Sequence, residues 1–120
     1  MKDGSGPGTT LFVVMMDVDP EHDADFNRWY DEEHVPERLS CPGFLAATRY
    51  RGIDADPAGR PQGEELRPRY LAVYELESPE VLAGEPYLKM VEKPSPWTRE
   101  MRRHYRIAVR HTYLRLTPGG

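Results

Sequence analysis

Apolar and polar positions change rhythm along this chain, and each change marks an element. From Thr10 to Val18 the residues are almost continuously apolar, which predicts a strand buried on both faces. Asp19 and Pro20 break it, and an acidic stretch follows in which Asp23 or Asp25 suits a helix cap. Pro36 lacks the N–H for the carbonyl of Glu32 and its ring crowds that turn, so the helix is expected to kink or restart near His34. Pro42 and Gly43 end the segment. Phe44 to Arg51 then reads as a second strand, with Phe44, Ala46, Thr48 and Tyr50 on one face.

Residues 54–68 are rich in turn formers and read as a long exposed connection between antiparallel strands. Arg69 to Leu76 is the third strand, with Tyr70, Ala72 and Tyr74 alternating against Leu71 and Val73. Ser78 and Pro79 suit the cap and first position of a second helix. Gly84, Pro86, Pro94 and Pro96 interrupt it, predicting two pieces over about 79–91 and 95–103. His104 to Leu116 is a long last strand centred on Ile107, Ala108 and Val109.

The element order is β-α-β-β-α-β, an α+β fold of ferredoxin-like type: a four-stranded antiparallel sheet with helices on one face. Residues 10–117 form the single domain, and the Gly-rich residues 1–9 read as a disordered tail. Because the first strand is apolar on both sides, the sheet face away from the helices is apolar too. An exposed face of that kind aggregates or pairs, so a homodimer that packs two sheets together is expected.

The first helix carries the candidate chemistry. At roughly 100° per residue, Phe26, Tyr30, Glu33 and Glu37 fall on one arc flanked by Trp29 and His34. Arg28, Asp31, Glu32, Val35 and Arg38 point the other way. A surface helix ordinarily turns plain aliphatics inward and charges outward. Aromatics interleaved with titratable groups suit a pocket wall instead.

Composition narrows the partners. The chain has 120 residues, 38% of them hydrophobic and 30% charged, with a net charge of −4 that argues against nucleic acid. No apolar run approaches the roughly 18 residues that span a bilayer, and residues 1–9 lack the apolar region of a signal peptide, so a cytoplasmic protein without membrane partners is expected. The one cysteine, Cys41, reads as a small turn residue beside Pro42 and Gly43. Acids crowd 17–37, while Arg99, Arg102, Arg103, Arg106, Arg110 and Arg115 face Glu100 alone. Either the two stretches offset each other or one or two of these arginines hold an anionic substrate group.

The run Trp29-Tyr30-Asp31-Glu32-Glu33-His34-Val35-Pro36-Glu37, with Pro42-Gly43-Phe44, resembles the EthD-like branch of the dimeric α+β-barrel superfamily. The match is strong over 26–44, and the coarse topology agrees over about 10–117. The resemblance implies a small-molecule pocket between helices and sheet, one per subunit. Relatives include cofactor-independent polyketide cyclases, lactone isomerases, dehydratases and quinone-forming monooxygenases, as well as haem-handling enzymes and proteins with no assigned activity. The implied activity is a cofactor-independent cyclase, isomerase or dehydratase acting on a hydrophobic polyketide-like or aromatic metabolite. A cofactor-independent monooxygenase of phenols or hydroquinones and a non-catalytic ligand-binding accessory dimer are the alternatives. Fold likeness alone does not select among them.

On this reading His34 is the candidate acid/base, since imidazole exchanges a proton near neutral pH. The alternative is a buried histidine that holds helix packing. Tyr30 and Glu33 would orient it or share its proton, Glu33 and Glu37 being either desolvated acids or ion-pair partners of Arg102 or Arg106. Trp29 and Phe26 would form pocket walls, with Glu37, Tyr74, Tyr87, Trp97 and His111 completing the substrate-binding lining. His104 is a second acid/base candidate or a solvated side chain among arginines. His22, Asp23 and Asp25 are better capping groups than metal ligands, and no His-Glu-x-x-His or Cys-x-x-Cys spacing supports a metal. The second helix has no histidine before His104 to serve as a haem ligand.

Overall fold

The computed structural model describes residues 10–53, 55, 58 and 68–117. The expected tail at 1–9 and most of the connection at 54–68 lie outside the described residues. Four strands, β1 (Thr10–Val18), β2 (Phe44–Arg51), β3 (Tyr70–Leu76) and β4 (Tyr105–Leu114), form one sheet in the order β2-β3-β1-β4. All three pairings are antiparallel. Helices α1 (Asp23–Trp29), α2 (Val35–Leu39), α3 (Glu85–Glu92) and α4 (Pro96–Arg102) pack on one face, giving the expected ferredoxin-like α+β arrangement. Among the described residues no helix is long and apolar enough to cross a membrane.

On β1 burial alternates without a break. Thr10, Phe12, Val14, Met16 and Val18 are buried beneath the helices, while Leu11, Val13, Met15 and Asp17 are only half-buried on the other face. The continuous apolar run is therefore one covered face and one open face in the single chain. Paired residues of antiparallel strands share a face. The open face accordingly gathers Leu71 and Val73 of β3 and Val109 and Tyr113 of β4 around Leu11, Val13 and Met15.

Three one-residue irregularities displace faces that strict counting predicts. In β2 the register shifts between Phe44 and Ala46, so Phe44 faces the helices while Ala46, Thr48 and Tyr50 face away. The expected common face of those four residues is thereby corrected. In β4 the register shifts opposite Met15 and Met16, leaving Ala108 as the extra residue between Val109 and Ile107. Ile107 and Arg110 then both turn toward the helices, as partners of Met16 and Val14. The third irregularity is a wide π turn, Tyr30–His34, between α1 and α2, in which the Val35 N–H reaches the carbonyl of Tyr30. It carries the helix past Pro36 without a stop.

Local starts also differ from expectation. Neither Asp23 nor Asp25 caps α1: His22 holds that position, and the Asp23 carboxylate accepts from the Tyr70 hydroxyl at 2.5 Å. Ser78 makes no capping bond, and the segment after it is a 3₁₀ turn, Pro79–Ala83, that stops at Gly84 before α3. Ser95 is the working cap, its Oγ accepting from the Thr98 N–H on α4 at 3.0 Å. Gly43, at φ 95°, makes the turn into β2 as Pro42-Gly43 predicts.

Candidate functional site

Between the helices and the inner sheet face lies a cavity of about 480 Å³, within the range of small-molecule sites. Its sheet side is Phe12, Val14 and Met16 of β1 with Tyr105, Ile107 and Arg110 around β4. Its helix side is Trp29, Tyr30, His34 and Arg38, with Tyr87 from α3 and Thr98 and Arg102 from α4. Phe12, Val14, Met16, Trp29 and Tyr30 are buried and form the floor, whereas Arg102, Ile107 and Arg110 are exposed and form the rim.

The π turn sets which helix residues meet this space. An α-turn holds about 3.6 residues, and a π turn adds nearly one more, so residues beyond it lag by about one position around the helix axis. His34 thus reaches the bearing expected for Glu33, and Arg38 the bearing expected for Glu37. Arg38, expected to point away, is buried at 9% exposure and lines the cavity.

The imidazole of His34 packs between Trp29, 4.6 Å between ring centroids, and Tyr30, at 4.8 Å. Burial in this setting, reinforced by the charges of Arg38, Arg102, Arg49 and Arg110, pushes its pKa down to about 3. The ring is neutral at pH 7. Its Nδ1 is sealed from solvent and, among the described residues, has no hydrogen-bond partner.

Tyr30 and Tyr74 share a hydrogen bond of 3.1 Å between hydroxyls. Burial raises the pKa of both, so both keep their protons. The pair uses one of its two hydroxyl hydrogens internally, which leaves one to donate. The guanidinium of Arg49 lies 4.3 Å from the centroid of the Tyr30 ring and is held by Asp31 and Asn27 at 2.7 and 2.8 Å.

Glu33 lies outside the lining. One of its oxygens accepts from Trp29 Nε1 at 3.1 Å, Ser95 Oγ at 2.6 Å and Thr98 Oγ1 at 3.2 Å, tying the first helix to the start of α4. Among the described residues it pairs with no arginine. Glu37 is likewise off the cavity and pairs with its neighbour Arg38 at 2.9 Å.

Of the remaining expected lining residues, Tyr87 and Trp29 are there and the others are not. Phe26 is solid core at 0% exposure. Tyr74 lies behind Tyr30. Trp97 stands outside, near Asp25 at 3.5 Å and beneath the Arg28 guanidinium. His111 faces away on the open side of the sheet opposite Val13, because the extra residue Ala108 gives the inward bearing to Arg110. His104 is away from the cavity, stacked on His22 at 3.5 Å and bonded to Glu100 at 3.0 Å. Phe12, Val14, Met16, Arg38, Thr98, Arg102, Tyr105, Ile107 and Arg110 complete the lining without having been expected there by strict periodicity.

Known folds agree with this architecture. The chain superposes on HapK from Hahella chejuensis with a TM-score of 0.61 at 9% identity, over 92% of this chain and 96% of that one. An ethyl tert-butyl ether D (EthD) family protein from Bacillus halodurans C-125 gives 0.56 at 14% identity, over 89% and 97%. The haem-degrader MhuD from Mycobacterium tuberculosis, with two haems bound in its active site, gives 0.58 at 15% identity, over 92% and 99%. No protein-family model and no curated protein matches the sequence.

Proposed function

We propose that this chain, which has the ferredoxin-like fold of the dimeric α+β-barrel superfamily, is a cofactor-independent acid/base enzyme acting on a hydrophobic aromatic or polyketide-like molecule. The observation that carries the proposal is His34: an imidazole held neutral by burial, set between aromatic rings on the wall of a cavity of ligand size. Neutral His34 takes a proton from an acidic C–H or phenolic O–H of the substrate, and negative charge develops on the substrate oxygen. The free hydroxyl hydrogen of the Tyr30–Tyr74 pair and the Arg38 guanidinium receive that charge. A protonated His34 is strongly disfavoured in the empty cavity, but the oxyanion beside it offsets the penalty. His34 then returns the proton at a second position, which completes an isomerisation or cyclisation, or assists departure of water.

The test is proton exchange in deuterated water, with aromatic β-keto acids and lactones as substrates and deuterium at the acidic carbon followed by nuclear magnetic resonance. Exchange that depends on the protein and falls at least about a hundredfold in His34→Ala supports the assignment. Undiminished exchange in a folded His34→Ala protein sinks it. The same incubation without oxygen separates proton transfer from oxygenation of a phenol, which stops when oxygen is removed.

The working form is proposed to be a homodimer. The open sheet face, with Leu11, Val13, Met15, Leu71 and Val73 at its centre, is the surface that a second copy covers. Light scattering on the wild type and on Val13→Glu tests this: the variant should run as a monomer. A wild type of monomer mass overturns it.

A further inference from the structure

We infer that the ligand of this cavity is an aromatic acid, its rings seated on the Trp29–Tyr30 floor and its carboxylate held at the rim between Arg102 and Arg110. The inference rests on the reading of the cavity as a ligand site and adds the charge of the ligand. Among the described residues three arginines line the space and no carboxylate does. That imbalance stands out in a chain of net charge −4.

The neighbouring basic residues have acids of their own. Arg106 pairs with Asp19 at 2.9 Å, Arg49 with Asp31 at 2.7 Å and Arg28 with Glu32 at 3.1 Å. Even Arg38, deeper in the cavity, shares its charge with Glu37. Arg102 and Arg110 are different: among the described residues neither side chain has a hydrogen bond or an acidic partner. They come from separate elements, α4 and β4, and reach the same rim only because Ala108 is the extra residue in β4.

The distribution of polarity gives the ligand a direction. An apolar, aromatic inner end and a cationic mouth suit a flat molecule that is hydrophobic at one end and anionic at the other. A carboxylate matches the fork of a guanidinium in two parallel hydrogen bonds, which a neutral carbonyl does not. Positive potential focused at the mouth of an otherwise acidic protein also favours entry of anions over cations.

Calorimetric titration with a hydroxynaphthoate, using the matching hydroxynaphthamide as neutral control, tests the inference. The acid should bind the wild type at least about tenfold more tightly than the amide. Arg102→Gln with Arg110→Gln should abolish that preference and leave amide binding and the melting curve unchanged, since both side chains are exposed. His34→Ala should keep the preference even where proton exchange is lost, so failure of the acid/base reading and failure of this one are read separately. Equal affinity of the wild type for acid and amide overturns the inference, as does a preference that survives in the double arginine variant. If neither compound binds at millimolar concentration, the ligand site itself is refuted and the inference with it.

Discussion

The backbone N–H of Val35 bonds to the carbonyl of Tyr30, five residues back, where an α-helix would reach only four. This wide turn sits immediately before Pro36, whose ring would crowd the preceding carbonyls of a regular helix. Widening the turn gives the ring room and sends His34 and Arg38 into the cavity.

Removing the extra residue while keeping the proline should therefore be costly. Deletion of Glu32, an exposed residue paired with Arg28, returns the segment to α-helical count with Pro36 in its interior. The expected loss is about 3 kcal/mol. Combining the deletion with Pro36→Ala should recover most of it. Urea melts of the two variants check this, and a double variant no more stable than the deletion alone contradicts the account.

The fold was legible in the sequence because its signals are long or local. The apolar run at Thr10–Val18, the turn at Pro42-Gly43 and the alternation at Tyr70–Leu76 each survive small errors of counting. The cavity was less legible because its membership depends on phase. One extra residue before Val35 exchanges Glu37 for Arg38, and one extra residue at Ala108 exchanges His111 for Arg110. Pro36 hinted at the first of these. Nothing in the apolar triplet Ile107, Ala108 and Val109 pointed to the second. Trp29 and Tyr30 keep the bearing that counting gives them because they precede the shift, whereas His34 lies at its far end.

Gly43 offers a sharper test of local geometry. Its φ of 95° disfavours any side chain, and an added Cβ would clash with Val81 Cγ2. Gly43→Ala should cost about 2 kcal/mol or more from backbone strain and overpacking together. In the double variant with Val81→Ala the clash is relieved and the strain remains, so the two changes should cost less together than their sum. Strict additivity in denaturant melts would rule out the clash.

Glu33 is predicted to hold the structure together. Glu33→Ala leaves the Ser95 hydroxyl and part of the Trp29 and Thr98 network without their acceptor, at an expected cost of about 1–3 kcal/mol. Glu33→Gln retains one acceptor oxygen and should recover about half of that cost or more. Neither variant should alter the pH dependence of proton exchange. A shifted pH profile in Glu33→Gln would instead give this carboxylate a part in proton transfer.

His34 makes stability depend on pH in a defined window. Its pKa falls from 6.5 in the unfolded chain to about 3 in the folded one. Above pH 6.5 the ring is neutral in both states and contributes no slope. Between pH 6.5 and 3 the unfolded chain binds a proton that the folded chain refuses, so stability is lost as pH falls. The slope approaches about 1.4 kcal/mol per pH unit, or roughly 2 kcal/mol between neutral pH and pH 5. His34→Gln removes this group while leaving the other titrating residues in place, so the difference between variant and wild type isolates it. Urea midpoints at pH 7.5 and pH 5 should converge by about that amount in the variant, and identical acid sensitivity would show that His34 is not the group held neutral. A hydroxynaphthoate bound beside Arg102 and Arg110 should narrow the same difference, because a negative charge in the cavity opposes the arginines that help to depress the imidazole.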